Sequence, residues 1–113
     1  MTQPFESPKA PRDPEATRKL LTSLWERNLP ILRKRCAQLE FAVAAAQAGT
    51  LTQELREETI DTAHKLAGSL GMFGYPEGTE FARRIEEHLE STGLIDAPRF
   101  ARDVAAMRAT LPV

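Results

Sequence analysis

Aromatic side chains are scarce in this sequence, only 6% of residues against 42% hydrophobic overall, so any core must be built from Leu, Ile, Val and Ala. That composition suits helices better than a twisted sheet. Cysteine occurs once, as Cys36, which excludes an internal disulfide. A lone thiol fits a reducing compartment, and its apolar helical position reads as inert packing rather than reactivity. No uninterrupted apolar run approaches the roughly 18 residues that a bilayer span needs. The N-terminus also lacks the basic-then-apolar order of a secretory signal. A field of one sign is missing too: 15 basic and 16 acidic side chains leave a net charge of -1. Nothing of that kind would gather nucleic acid or an anionic membrane. These absences give the expectation of a cytoplasmic domain, acting as a monomer, with neither nucleic acid nor membrane among its partners.

What is present is helical periodicity. The 113 residues are one domain's worth. Residues 1–12, with Pro4, Pro8 and Pro11, read as a flexible N-terminal tail; residues 13–113 read as a helical bundle. Asp13-Pro14-Glu15 opens a first helix, expected over about 14–48, with Leu21, Leu24, Asn28, Leu32, Cys36, Leu39, Val43 and Ala46 on one face. Pro30 removes an amide donor within it and predicts a kink or short break near Asn28 and Leu29. Thr50-Leu51-Thr52-Gln53 has capping-box spacing and opens a second helix, about 51–73. Gly74-Tyr75-Pro76 ends it. A third helix, about 76–91, carries Phe81, Ile85 and Leu89, and Asp96 caps a fourth, about 97–110. The expected fold is all-α: an antiparallel up-down four-helix bundle with a long, Pro-kinked N-terminal helix.

One histidine stands out. With roughly 100° per residue, His64 lies about 120° from the centre of the second helix's apolar face, outside the core boundary. Asp61, Gly68 and Gly71 share its stripe. Glycine within a helix costs roughly 1 kcal/mol relative to alanine. An exposed stripe gains nothing from it unless another molecule's backbone has to come close. Two plainer readings stand beside this one: His64 as an ordinary surface histidine, and Gly71 as part of a fraying helix end.

The run Ala63-His64-Lys65-Leu66-Ala67-Gly68-Ser69-Leu70-Gly71-Met72-Phe73-Gly74 resembles the signature of the histidine-containing phosphotransfer (HPt) domain family. Phe81-Ala82-Arg83-Arg84-Ile85-Glu86 is similar to the apolar-x-x-x-Leu-Glu ending of that family's next helix. The resemblance covers about residues 20 to 110, with the middle third diagnostic. It implies that His64 accepts a phosphoryl group from a receiver-domain aspartate, or from a kinase, and passes it to another receiver. The implied partners are response-regulator receiver domains and a hybrid histidine kinase. Mg²⁺ would come from the receiver, so this chain needs no cofactor and no metal of its own. There is no Walker-type loop, and no segment resembles a kinase nucleotide-binding domain, so autonomous ATP-dependent labelling is not expected.

The sequence departs from the family at Ala67, where members commonly have Lys three residues after the histidine. Lys65 is rotated about 100° from His64, yet its long stem could swing toward a phosphate. Arg83 and Arg84 are alternative cations; their plainer reading is solvated pairing with Glu80 and Glu87. Asp61 either orients the ring or is a solvated carboxylate. Rival chemistries fare worse. Ser69 lies roughly 140° round the helix from His64 and cannot form a dyad with it. His64 and His88 lack ligand spacing, and His88 reads as bordering the core. The remaining alternative is a non-phosphorylated helical adaptor that docks receiver domains.

Overall fold

The computed structural model describes residues 13–113; the tail expected over residues 1–12 lies outside them. Among the described residues there are four helices and no strand: α1 (Pro14–Gln47), α2 (Gln53–Met72), α3 (Pro76–Glu90) and α4 (Ala97–Ala109). α1 packs on α2 and α4, and α3 packs on the same two, while the backbones of the diagonal pairs stay apart. Short connections between neighbours make this an up-down four-helix bundle.

The helix ends follow from local chemistry. Asp13 accepts the Glu15 amide at 3.0 Å to start α1, and Asp96 accepts the Arg99 amide at 3.1 Å to start α4. α1 and α2 close alike. Gly49 and Gly74 adopt positive φ, 72° and 82°, and the next residue's amide reaches back five positions, Thr50 to Ala45 and Tyr75 to Leu70. Thr50 is therefore spent on closing α1, where its hydroxyl also donates to Ala45. The cap of α2 is Thr52, whose hydroxyl accepts the Leu55 amide at 3.1 Å. The capping-box reading placed the helix start two residues early.

α1 continues through Pro30 without the short break that a missing donor suggested. Pro30 is exposed, so the Glu26 carbonyl it leaves unpaired can turn to water. At about 1.5 Å per residue, α1 is roughly 51 Å long against roughly 30 Å for α2. Its buried positions begin only at Leu32 and run through Cys36, Leu39 and Ala42. The stripe continues upward through Leu24 and Leu21, but those side chains stand 39% and 49% exposed because the bundle ends below them. Trp25 ties this overhang down, its ring 5.0 Å from Phe73 and 5.1 Å from Tyr75 at the α2–α3 turn.

The core is aliphatic with one large aromatic, Phe100. Leu66 and Leu70 of α2 and Ile85 and Leu89 of α3 are completely or almost completely buried. α3 approaches its neighbours closely at Gly78, where an added Cβ would sit 3.0 Å from Thr110 Oγ1 and 3.1 Å from Leu70 Cδ1. Arg56 locks the far end: its guanidinium donates to the carbonyls of Leu89 (2.7 Å), Ser91 and Gly93 (3.2 Å), which satisfies the orphan acceptors where α3 gives way to the α3–α4 loop. The α2–α3 pair that carries the site is thus fixed by a tight turn at one end and an arginine fork at the other.

Candidate functional site

His64 projects from the middle of α2 with 73% of its side chain exposed. Its ring is nevertheless held. Nδ1 lies 3.0 Å from Glu86 Oε2 of α3, and the Glu86 side chain is only 18% exposed. A carboxylate can only accept, so in the neutral ring this contact places the proton on Nδ1 and leaves the lone pair on Nε2. Sequence reasoning offered Asp61 for this orienting part and missed Glu86. The only signal was the Ile85-Glu86 pair closing the α3 motif, and the contact spans 22 positions between two helices.

Asp61 is engaged elsewhere. Lys65 Nζ lies 2.9 Å from its Oδ2 across one turn of α2. The hydrogen bond from Lys65 holds the Asp61 carboxyl below its ordinary range. The two form a solvated pair beside His64, with neither directed at it.

A groove of about 430 Å³ runs between α2 and α3, walled by His64, Ala67, Gly68, Arg83, Glu86, Glu87 and Glu90. Gly68 is exposed, and a Cβ added there would meet nothing within 4 Å. No internal packing demands a glycine at this point. Gly71 lies in the last turn of α2, where a Cβ would make ordinary contact with Thr79 Oγ1 at 3.6 Å. Ala67 is 7% exposed, and its carbonyl accepts the Thr79 hydroxyl at 3.3 Å. α3 lies directly over this position.

The structure thus brings His64, Ala67, Gly68 and Arg83 to one groove, and leaves Lys65, Asp61, Gly71 and Arg84 off its walls. Arg84 stacks over the Phe81 ring at 5.3 Å. The pairing of Arg83 and Arg84 with Glu80 and Glu87 that the sequence suggested is not formed; neither arginine joins an ion pair among the described residues.

The residues of the rival sites are engaged elsewhere. Ser69 Oγ accepts from Asn28 Nδ2 at 3.1 Å on the α1 side, away from the imidazole. His88 is half-buried, and its Nε2 accepts the Asp96 amide at 3.2 Å where α4 begins. Among the described residues no cluster of His, Cys, Asp and Glu could hold a metal ion, and no helix is long and apolar enough to cross a membrane. Burial pushes the Cys36 thiol above its ordinary pKa, with Glu40 adding to the rise and Arg108 opposing it, so no activated thiolate competes as a nucleophile.

In comparisons with known proteins, the family described as Hpt domain matches residues 19–111. No curated protein and no solved structure gives a match.

Proposed function

The chain belongs to the Hpt domain family, which implies a phosphorelay role in contact with receiver domains, and from that premise we propose that His64 is its phosphoryl carrier. The observation that supports this most directly is the state of the imidazole: largely exposed, yet pinned through Nδ1 by Glu86. A ring so held presents one nucleophilic nitrogen in a fixed direction. It also avoids sampling the tautomer that would protonate that nitrogen.

In the proposed step Nε2 attacks the phosphorus of an acyl phosphate on a receiver's aspartate. The N–P bond forms as the P–O bond to the carboxylate breaks, and the electron pair leaves on the carboxylate oxygen. The proton stays on Nδ1 against Glu86, whose charge offsets the positive charge the ring gains. Transfer to a second receiver is the reverse of this step. Such transfer depends on positioning and on charge neutralisation more than on covalent machinery. The receiver brings Mg²⁺ to the encounter. This chain brings the oriented ring and the bare helix at Gly68, against which a partner's backbone can close.

The test is incubation with a phosphorylated receiver domain and Mg²⁺. Acid-labile, base-stable label on the wild-type chain and none on His64→Gln is the expected result. Tight binding with no label on either would replace the carrier by a docking adaptor.

A further inference from the structure

A phosphoryl group on Nε2 of His64 would arrive in an unfavourable place. It adds roughly -1.5 to -2 charges at neutral pH, and three of the seven residues walling the groove are carboxylates: Glu86, Glu87 and Glu90. Glu86 is already engaged in holding the ring. While a receiver is docked, its own Mg²⁺ offsets this repulsion. After the receiver leaves, the phosphorylated chain must hold the charge with its own residues.

We infer that Arg83 is the residue that does so, a positioning group that stabilises the phosphorylated form of His64. The inference rests on the reading of His64 as the carrier. Arg83 is the one cation on the walls of the groove that also contains His64. The antiparallel register of α2 and α3 explains its placement. The register that sets His64 opposite Glu86 and Gly71 opposite Thr79 sets Ala67 opposite Arg83, one turn along from the imidazole. Neither intervening position obstructs its reach: Ala67 is small and buried, and Gly68 has no side chain.

The other cations are committed or displaced. Lys65 is bonded to Asp61 at 2.9 Å, and Arg84 lies over Phe81 at 5.3 Å. Arg83 joins no ion pair among the described residues, although Glu80 and Glu87 are within one turn of it on the same helix. Its guanidinium is therefore available to donate a forked pair of N–H bonds to two phosphoryl oxygens.

The experiment is the equilibrium of phosphoryl transfer between a receiver and the full chain, together with the lifetime of the phosphorylated chain after the receiver is removed. Both are read for wild type, Arg83→Gln, Arg83→Lys, Arg84→Gln and Lys65→Gln. Arg83→Gln is expected to shift the equilibrium away from His64 by about tenfold, the scale of one hydrogen bond to a charged group. Arg83→Lys, which keeps the charge but loses the fork, should recover part of that shift, while Arg84→Gln and Lys65→Gln should stay within about twofold of wild type. Circular dichroism and melting of the unphosphorylated variants check that the bundle is intact. An equilibrium for Arg83→Gln within twofold of wild type overturns the inference, as does a tenfold shift caused instead by Lys65→Gln. Absence of label on the wild-type chain is a different failure; it removes the carrier reading and this inference with it.

Discussion

Replacing Gly68 by alanine should make the protein more stable and a worse phosphoryl acceptor. Gly68 lies inside α2, four residues before the helix ends, is exposed, and has no neighbour within 4 Å of where a Cβ would stand. With no steric penalty in the free protein, alanine removes glycine's conformational entropy from the unfolded chain and gains about 0.5–1 kcal/mol. For a domain of this size that is a rise in Tm of about 2–6 °C. Transfer should move the other way. Reacting atoms have to come within about 3–3.5 Å, and a displacement of about 1 Å from that geometry costs on the order of a hundredfold in rate. One methyl beside the imidazole pushes a closely docked partner back by about that distance, so Gly68→Ala should slow transfer by roughly ten- to a hundredfold. Gly68→Gln should nearly abolish it. The assays are thermal melting followed by circular dichroism and single-turnover transfer from a phosphorylated receiver. Unchanged transfer by Gly68→Gln would mean that no backbone approaches this strip. A lower Tm for Gly68→Ala would mean that the glycine serves the fold after all.

The same substitution at Gly78 should have the opposite sign for stability. Its Cβ would press on Thr110, Leu70 and Leu111 at 3.0–3.2 Å, and overpacking of about 1–3 kcal/mol outweighs the helical gain. Chemical denaturation should show a net loss of about 1 kcal/mol. Glu86→Ala should slow transfer about fivefold, since a hydrogen bond between a carboxylate and a largely exposed ring is worth about 1 kcal/mol; an unaltered rate in single-turnover kinetics would remove Glu86 from the account. Asp61 has its carboxyl pKa lowered by Lys65. The pair's stabilisation is therefore present above the ordinary carboxylate range, near ~3.9, and fades as pH falls through the lower folded value. Tm measured against pH should show Asp61→Asn and wild type converging only in acid, with transfer at neutral pH unchanged. Cys36, buried and with a raised pKa, should resist alkylation in native buffer and react fully in denaturant; rapid native labelling would show that α1 opens.

Much of this was legible because helices write their packing into short spacings. Three- and four-residue steps gave the core face of each helix, and Gly49, Gly74 and Asp96 punctuated them by local backbone chemistry. His64 stood out as a candidate partly for the same reason, since its angle from the apolar stripe and its distance from Gly68 are properties of one helix; the resemblance of residues 63–74 to a known family carried the rest. What could not be read were relations between helices. The bond from His64 to Glu86 joins α2 to α3, and no pattern within either helix announces a register between them. The idleness of Arg83 is equally a matter of rotamer and register, since Glu87 four residues on invites the opposite expectation. The upper half of α1 misled in another way: Leu21 and Leu24 keep the stripe's rhythm, but a stripe does not say where its neighbours stop. At Thr50 two legitimate uses of one hydroxyl competed, and the glycine turn took it.

The seating of Trp25 makes the molecule its own optical gauge. It is the only tryptophan in the chain, and it rests on Phe73 and Tyr75 at the junction between the projecting end of α1 and the turn that follows the histidine helix. Any event that lifts the overhang, tightens that turn or covers it changes the surroundings of a single fluorophore. Emission recorded without any label can then time the arrival and departure of a visitor at this end, separately from the transfer proposed at His64.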